Sequence, residues 1–266
     1  KDSTIVKVVS LSLGLFLSIV LFARVAMELS YDTFYQGHKQ LHFVQTLWDF
    51  GKGGNPGIEN SLYPTGPTIM QHFPEQVESA TVINSWWPVE FKHGERIYNG
   101  KDFLVADSLF FQTMGIEVTS GNPVQDLQQA DVIYLSDDLA KRMFGGENPI
   151  GKVISYNKQI PLTVRGTFAD IPANSTVRPK AVISLPSIWK RGWGNYSWEG
   201  GDSWPSYLRI KPGTDIEALN KQVNLVIQQN IPDNIGLKLE AEIRPIRDTY
   251  RNYDEVKRMS TIMSIL

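Results

Sequence analysis

Residues 8–23 read VVSLSLGLFLSIVLFA, bounded by Lys7 and Arg24 and carrying no charge between them. At ~1.5 Å per residue this run makes about 24 Å of helix, against a bilayer hydrocarbon core of roughly 30 Å. The shortfall closes if Lys7 and Arg24 snorkel and the helix continues through Val25, Ala26 and Met27. A buried core helix and a secretory signal peptide are the competing readings. No small-x-small cleavage site follows the run, which argues against the signal peptide. A retained membrane helix therefore fits best. Ser10, Gly14 and Ser18 share one of its faces, a small-xxx-small spacing that permits close helix packing in lipid.

The rest of the chain is unlike a membrane protein. Only 42% of its 266 residues are hydrophobic and the mean hydropathy is -0.21, so one anchor carries a large water-facing part. The tail, Arg258 to Leu266, turns apolar after a basic residue and reads as the start of a truncated second transmembrane helix. Lys1 and Lys7 precede the first helix while Glu28 and Asp32 follow it. By the positive-inside rule this puts the large part on the far side of a bacterial inner membrane, in the periplasm. The net charge is -2 from 26 basic and 28 acidic residues. With no basic stretch, nucleic acid is not an expected partner. The absence of cysteine excludes disulfides and thiol chemistry.

Hydrophobic patterning divides the soluble part. Residues 24–37 extend the membrane helix as a stalk, with Glu28 and Asp32 on one face. Residues 40–50 read as a strand, 51–57 (GKGGNPG) as a turn, and Pro67 as the first turn of a short helix. Val77–Phe91 is a strand region. Phe103–Val105 is a strand, after which Asp107 or Ser108 caps a helix ended by Gly115. Val132–Leu135 is a buried-type strand, and Ser136 caps DDLAKRMF. Lys152–Tyr156 and Leu162–Phe168 pair as strands, and Ala181–Leu185 adds another. Trp204–Ile210 is a strand. Thr214 and Glu217 form a capping box for a helix whose face is Ile216, Leu219, Val223 and Ile227. Leu237–Ile246 is the last strand. Two strand–helix–strand units thus flank a strand-rich middle. The expected organisation is an α+β fold: helix and stalk at 1–37, one α/β part split between 38–95 and 204–257, an insertion at 96–203, and the second helix from 258 to 266.

No catalytic set stands out. His38 and His42 lie four apart, but the glutamate of HExxH is missing and no third ligand has metal-site spacing. The glycines at 51–57 lack the phosphate-loop spacing, and Gly145-Gly146 lack the strand–GxGxxG–helix context of a dinucleotide site. Asp137 and Asp138 read as helix-capping residues and Asp170 as a turn residue. Ser136, Ser175 and Ser206 have no nucleophile-elbow context. No cofactor or metal is expected. Trp189, Trp193, Trp198 and Trp204, four of the seven tryptophans, crowd into one Gly-rich segment. They read as partial core, a protein-contact surface or a ligand platform.

Several ordered segments recur together in the middle: Phe103-Leu-Val-Ala-Asp107-Ser-Leu-Phe-Phe-Gln-Thr-Met-Gly115, Val132-Ile-Tyr-Leu-Ser136, Leu139-Ala-Lys-Arg-Met-Phe-Gly145, Asn148-Pro-Ile-Gly-Lys152, and Phe168-Ala-Asp170-Ile-Pro-Ala-Asn174-Ser175. With Glu28-Leu-Ser-Tyr-Asp32-Thr-Phe34 at the front, this set resembles the periplasmic core domain of MacB/FtsX-type ABC transporter permeases. The resemblance implies a split porter-like α/β part with an inserted strand-rich subdomain. It implies a separate cytoplasmic ABC ATPase, a permease dimer or paired permease, a periplasmic protein partner and contact with membrane lipid. Phe110, Phe111, Phe144 and Gly145 then read as fold determinants. The implied function is non-catalytic: ATP-driven movement of membrane helices is coupled to export, extraction or partner regulation. A membrane-anchored regulator or sensor and a cell-wall hydrolase are the alternatives.

Overall fold

A computed structural model describes residues 2–49, 61–85, 89–200, 203–232 and 238–251. The apolar run forms the middle of one helix, α1 (Asp2–Leu29). Its side chains from Ser3 to Met27 are all exposed, and its 28 residues make about 42 Å of helix. That is length and composition enough to cross a membrane.

The remaining elements run in the order β1 (Leu41–Asp49), α2 (Thr65–His72), β2 (Val77–Asn84), β3 (Val89–His93), β4 (Arg96–Gly100), β5 (Phe103–Ala106), α3 (Phe110–Met114), β6 (Val118–Ser120), α4 (Pro123–Asp126), β7 (Val132–Ser136), α5 (Asp137–Phe144), β8 (Val153–Tyr156), β9 (Ile160–Phe168), β10 (Ala181–Ser184), α6 (Leu185–Trp189), β11 (Ser206–Ile210), α7 (Ile216–Asn230), β12 (Lys238–Pro245) and α8 (Ile246–Arg251). The described strands join one mixed sheet in the order β12-β1-β11-β2-β5-β10-β7-β9-β8-β3-β4, with β6 beside β9. The β5–β10 and β7–β9 pairs are parallel.

Central strands are buried on both faces, which is why β5, β7 and β10 read as unbroken apolar runs. The period of two then sorts their side chains between separate cores. Phe103, Val105, Ile133, Leu135 and Ile183 pack on one face with Met143 and Phe144 of α5. Leu104, Ala106, Tyr134 and Val182 pack on the other with Phe110, Phe111 and Met114 of α3. A third core lies under α2 and α7, where Leu219, Val223 and Ile227 meet Val44, Leu208 and Ile243.

Strands from both ends of the chain interleave: β11 pairs with β1 and β2, and β12 pairs with β1. The β2–β5 ladder is short, holding two residue pairs, Ile83 with Ala106 and Asn84 with Val105. Asp107 ties this seam. One carboxylate oxygen accepts from Val82 N (2.9 Å), the other from Thr81 Oγ1 and Leu109 N (both 2.9 Å). Burial pushes its carboxyl up to about 6 despite those three bonds. The folded carboxyl thus keeps its proton to a higher pH than the unfolded one. Its contribution to stability is complete below about pH 4 and is lost as the pH rises through about 6. In urea unfolding, the wild-type domain should lose about 3 kcal/mol across that window relative to Asp107→Asn. Parallel pH profiles would contradict this.

Several local expectations need correction. The stalk does not continue the helix to residue 37. It stops at Leu29, because Asp32 takes a left-handed conformation (φ 58°) and is drawn into the domain. Glu28 and Asp32 therefore share no helical face. Val77–Phe91 holds two strands, because β3 leaves β2 to pair with β4 and β8. The cap of α7 is Asp215, which accepts from Ala218 N at 3.0 Å. Thr214 instead donates to the Lys211 carbonyl. Asp107 holds the turn before α3, and Leu109 takes the cap position with no side-chain bond. Ser136 caps α5 as expected, accepting from Leu139 N at 3.3 Å. The glycine-rich segment 51–57, Trp86, Trp87 and the apolar tail at 258–266 lie outside the described residues.

Candidate functional site

The chain leaving α1 is bound into the domain at once. Asp32 is fully buried. Its carboxylate accepts from Thr176 N (2.6 Å) and Thr176 Oγ1 (2.7 Å), while its own N–H donates to the Asn174 carbonyl (2.9 Å). Asn174 Nδ2 returns two bonds, to the Ser30 carbonyl (3.1 Å) and Ser30 Oγ (2.9 Å). One turn on, the buried Tyr35 hydroxyl donates to the Val177 carbonyl (2.6 Å) and accepts from Val177 N (3.2 Å). Burial raises both the Asp32 carboxyl and the Tyr35 phenol, and the Thr176 and Val177 bonds pull the other way. Aspartate suits position 32 twice over, since it tolerates the left-handed backbone and supplies two acceptors.

A second bracket holds the other side. Arg209 is buried on the same face of β11 as Tyr207, because the two are two residues apart. Its Nε and Nη2 donate to the Thr113 carbonyl (3.1 and 2.9 Å), and Nη2 also reaches the Gln36 carbonyl (2.9 Å). Gln36 N donates to the Gly115 carbonyl (3.0 Å). Gly115 ends α3 at φ 70° and is the residue that fits: a Cβ there would meet the Gln36 backbone and Arg209. Arg247 of α8 donates to the Leu29 carbonyl at 3.1 Å, a cation on an orphan carbonyl at the negative end of α1. The 174–177 segment, α3, β11 and α8 together fix the direction in which α1 leaves the domain.

The sequence singled out both halves of the first clasp, Glu28–Phe34 and Asn174–Ser175, without placing them together. Arg209, Tyr35 and Arg247 escaped notice. The available signal was a lone cation inside the otherwise apolar strand Tyr207-Leu208-Arg209-Ile210.

The four tryptophans separate. Trp204 is fully buried, with Nε1 donating to the Asn195 carbonyl (3.0 Å), so it serves the core and offers no surface. It is drawn in where the chain re-enters the sheet, its N–H bonded to the Ser61 carbonyl. Trp198 is half-buried against the α7 core. Trp189 and Trp193 stay 46% and 44% exposed. Tyr63 meets Trp189, Tyr196 and Trp204 edge-on at 6.4, 5.1 and 5.4 Å between ring centres. Trp204 just precedes β11 and Arg209 lies near that strand's end, so this aromatic group sits at the end of β11 away from the second bracket.

The carboxylates weighed as chemistry serve helix α5. Asp170 accepts from Asp138 N at 3.1 Å, Asp137 accepts from Thr119 Oγ1 at 2.7 Å, and Asp138 pairs with Lys180 (3.0 Å) and Arg142 (2.6 Å). Those bonds, Lys180 first, hold the Asp138 carboxyl below its ordinary range. Ser206 Oγ lies 2.7 Å from Ser61 Oγ, inside the fold. His42, His72 and His93 each set Nδ1 against a backbone carbonyl, of Gln40, Thr68 and Val153. Among the described residues no three His, Asp or Glu side chains are grouped to hold a metal ion.

Solved structures share this architecture. A domain of a protein described as a permease, from Porphyromonas gingivalis, superposes with a TM-score of 0.66 at 21% identity, covering 79% of this chain and 91% of that one. The periplasmic region of MacB from Actinobacillus actinomycetemcomitans gives 0.52 at 17% identity, covering 79% and 93%. The extracellular domain of the noncanonic ABC-type transporter YknZ from Gram-positive bacteria gives 0.51 at 13% identity, covering 76% and 98%. At these identities the likeness is one of fold. A comparison with curated proteins found no match. The model of the MacB-like periplasmic core domain matches residues 4–226, most of the chain from the apolar helix through α7, and the protein belongs to that family.

Proposed function

We propose that this chain is the periplasmic, non-catalytic part of a MacB/FtsX-like ABC permease, and that it carries ATP-driven movement of membrane helices into the periplasm. The observation that carries this reading is the double bracket around residues 30–37. A hinge would leave these residues free. Here Asp32, Tyr35 and Gln36 are bonded to three separate parts of the domain, and Arg247 holds the last turn of α1. A tilt of α1 is then a tilt of the domain. A cytoplasmic ABC ATPase supplies the energy, and a second permease copy or a paired permease completes the membrane unit.

Residues 38–95 and 204–257 act as one porter-like part and 96–203 as its insertion. The interleaved β1, β2, β11 and β12 and the short β2–β5 seam support that division, except that β3 pairs into the insertion through β4 and β8. Trp189 and Trp193, at the far end, offer the aromatic surface a periplasmic protein would meet.

The test is a Gly/Ser insertion between Leu29 and Ser30 in the full permease with its ATPase. Such a segment is flexible coil and does not hold direction; it frees Leu29 from Arg247 and leaves the Asp32, Tyr35 and Gln36 bonds in place. The chain lacks cysteine, so Glu199→Cys gives one labelling site at the distal end. We expect the ATP-dependent change in distance from that label to the bilayer to disappear while ATP turnover continues. An unchanged distance response would mean that α1 and its bracket do not carry the movement, and would overturn this reading.

A further inference from the structure

We infer that the base of the domain is a lipid-binding surface, on which Arg178 and Arg247 hold headgroup phosphates of the periplasmic leaflet. This rests on the membrane placement of α1 proposed above. If a core of about 30 Å is centred on residues 8–23, its outer edge falls near Val25, and Leu29 lies only about 5 Å beyond it. The headgroup layer is itself roughly 5–8 Å deep. The helix ends there and the bracket allows no stalk, so the domain's base stands at the phosphates.

Two guanidinium groups occupy that base. Arg178 follows the clasp residues Thr176 and Val177, is exposed, and lies within electrostatic range of Tyr31. Among the described residues its one bond is a long 3.4 Å contact with the Ala173 carbonyl. Arg247 sits beside the end of α1, with one nitrogen on the Leu29 carbonyl. Neither forms an ion pair among the described residues. The nearby carboxylates are committed elsewhere: Glu28 pairs with Arg24 at 2.7 Å, Asp248 with Arg244 at 3.8 Å, and Asp32 is buried on Thr176. Asp102 and Asp170 line the depressions beside Arg178 without pairing with it. Arginine's planar fork suits a phosphate diester. Tyr31, an amphipathic ring at the same level, fits the interfacial belt.

The experiment places the chain, with its membrane helix, in nanodiscs of phosphatidylcholine with or without phosphatidylglycerol. A dye on Ala173→Cys reports contact through quenching by a headgroup-spin-labelled lipid, and one on Glu199→Cys is the distal control. Quenching at 173 should rise with the anionic lipid and fall with salt. A basic side chain near an anionic surface contributes about 1 kcal/mol. Removing both charges should therefore lower the docked-to-undocked ratio about thirty-fold, about 2 kcal/mol. Arg178→Gln alone, which disturbs only the long Ala173 contact, should give about a fivefold loss, and Arg178→Lys should restore most of it. Quenching that ignores both phosphatidylglycerol and the Gln substitutions, in chains that do enter the discs, overturns lipid binding alone. Failure to enter the discs overturns the placement of α1 and this inference with it.

Discussion

Replacing Arg209 with methionine is expected to destabilise the domain by about 1–3 kcal/mol and to loosen residues 30–37 before anything else. Methionine keeps the packing of the stem but removes every donor. The Thr113 carbonyl is then buried without its partner, at about 1–3 kcal/mol, and the exposed Gln36 loses its tie to β11. The native arginine is itself costly to bury, and its guanidinium is held below its ordinary range by that burial. Relief of this cost places the loss below what the bonds alone suggest. Arg209→Lys should recover only part, since one ammonium cannot span both carbonyls as the fork does. Urea unfolding reads the global loss. Amide hydrogen exchange at Asp32, Tyr35 and Gln36 reads the local one, and there the increase should exceed that in the α7 core. If exchange at these three amides is unchanged, Arg209 does not hold the joint.

Phe144→Ala should cost about 3–5 kcal/mol. Phe144 closes α5 with its ring almost fully buried, 4.6 Å from the His93 ring, and the Lys152 ammonium lies 5.3 Å from its centre. The following Gly145 turns the chain away at φ 66°, so the helix end has little freedom to refill the space. Phe144→Leu, which conserves most of the volume, should lose less than about 1.5 kcal/mol. In a domain of this size each kcal/mol moves the melting temperature by about 2–4 °C. Equal melting temperatures for the alanine and leucine variants would mean the site collapses around the missing ring, and the cavity argument would be wrong.

Elements whose signal is local were legible before any coordinates. Alternation and apolar runs gave most strands, because a residue's side of a sheet depends only on its neighbours in the chain. Ser136 announced the start of α5, and Gly115 and Gly145 announced the ends of α3 and α5, because caps and left-handed turns are decided within a few residues. The errors share a cause. Residues 30–37 follow an apolar helix without a proline to stop it, yet the Asn174–Val177 segment bonds Asp32 and Tyr35 outside any helical turn. The tryptophans at 189–204 look equivalent along the chain, yet only Trp204 adjoins the re-entry into β11, which places it inside.

The apolar run by itself determined a helix long and apolar enough to cross a membrane, since sixteen consecutive uncharged, mostly apolar residues with helical spacing leave no polar face for water. The ordered motifs by themselves determined the family, because they record the local geometry of turns, caps and core strands. Only the tertiary structure decided what happens where helix meets domain. Asp32 and Thr176 are 144 residues apart, and Arg209 and Gln36 are 173 apart. Their bonds exist only because the fold gathers those segments against one face of the sheet, where Tyr35, Val177 and Tyr207 share a core. A hydrogen bond of about 3 Å leaves no trace in composition or period when its partners are so distant in sequence. For that reason the stalk looked like a continuing helix, and the fold makes it a bracketed joint between α1 and the domain.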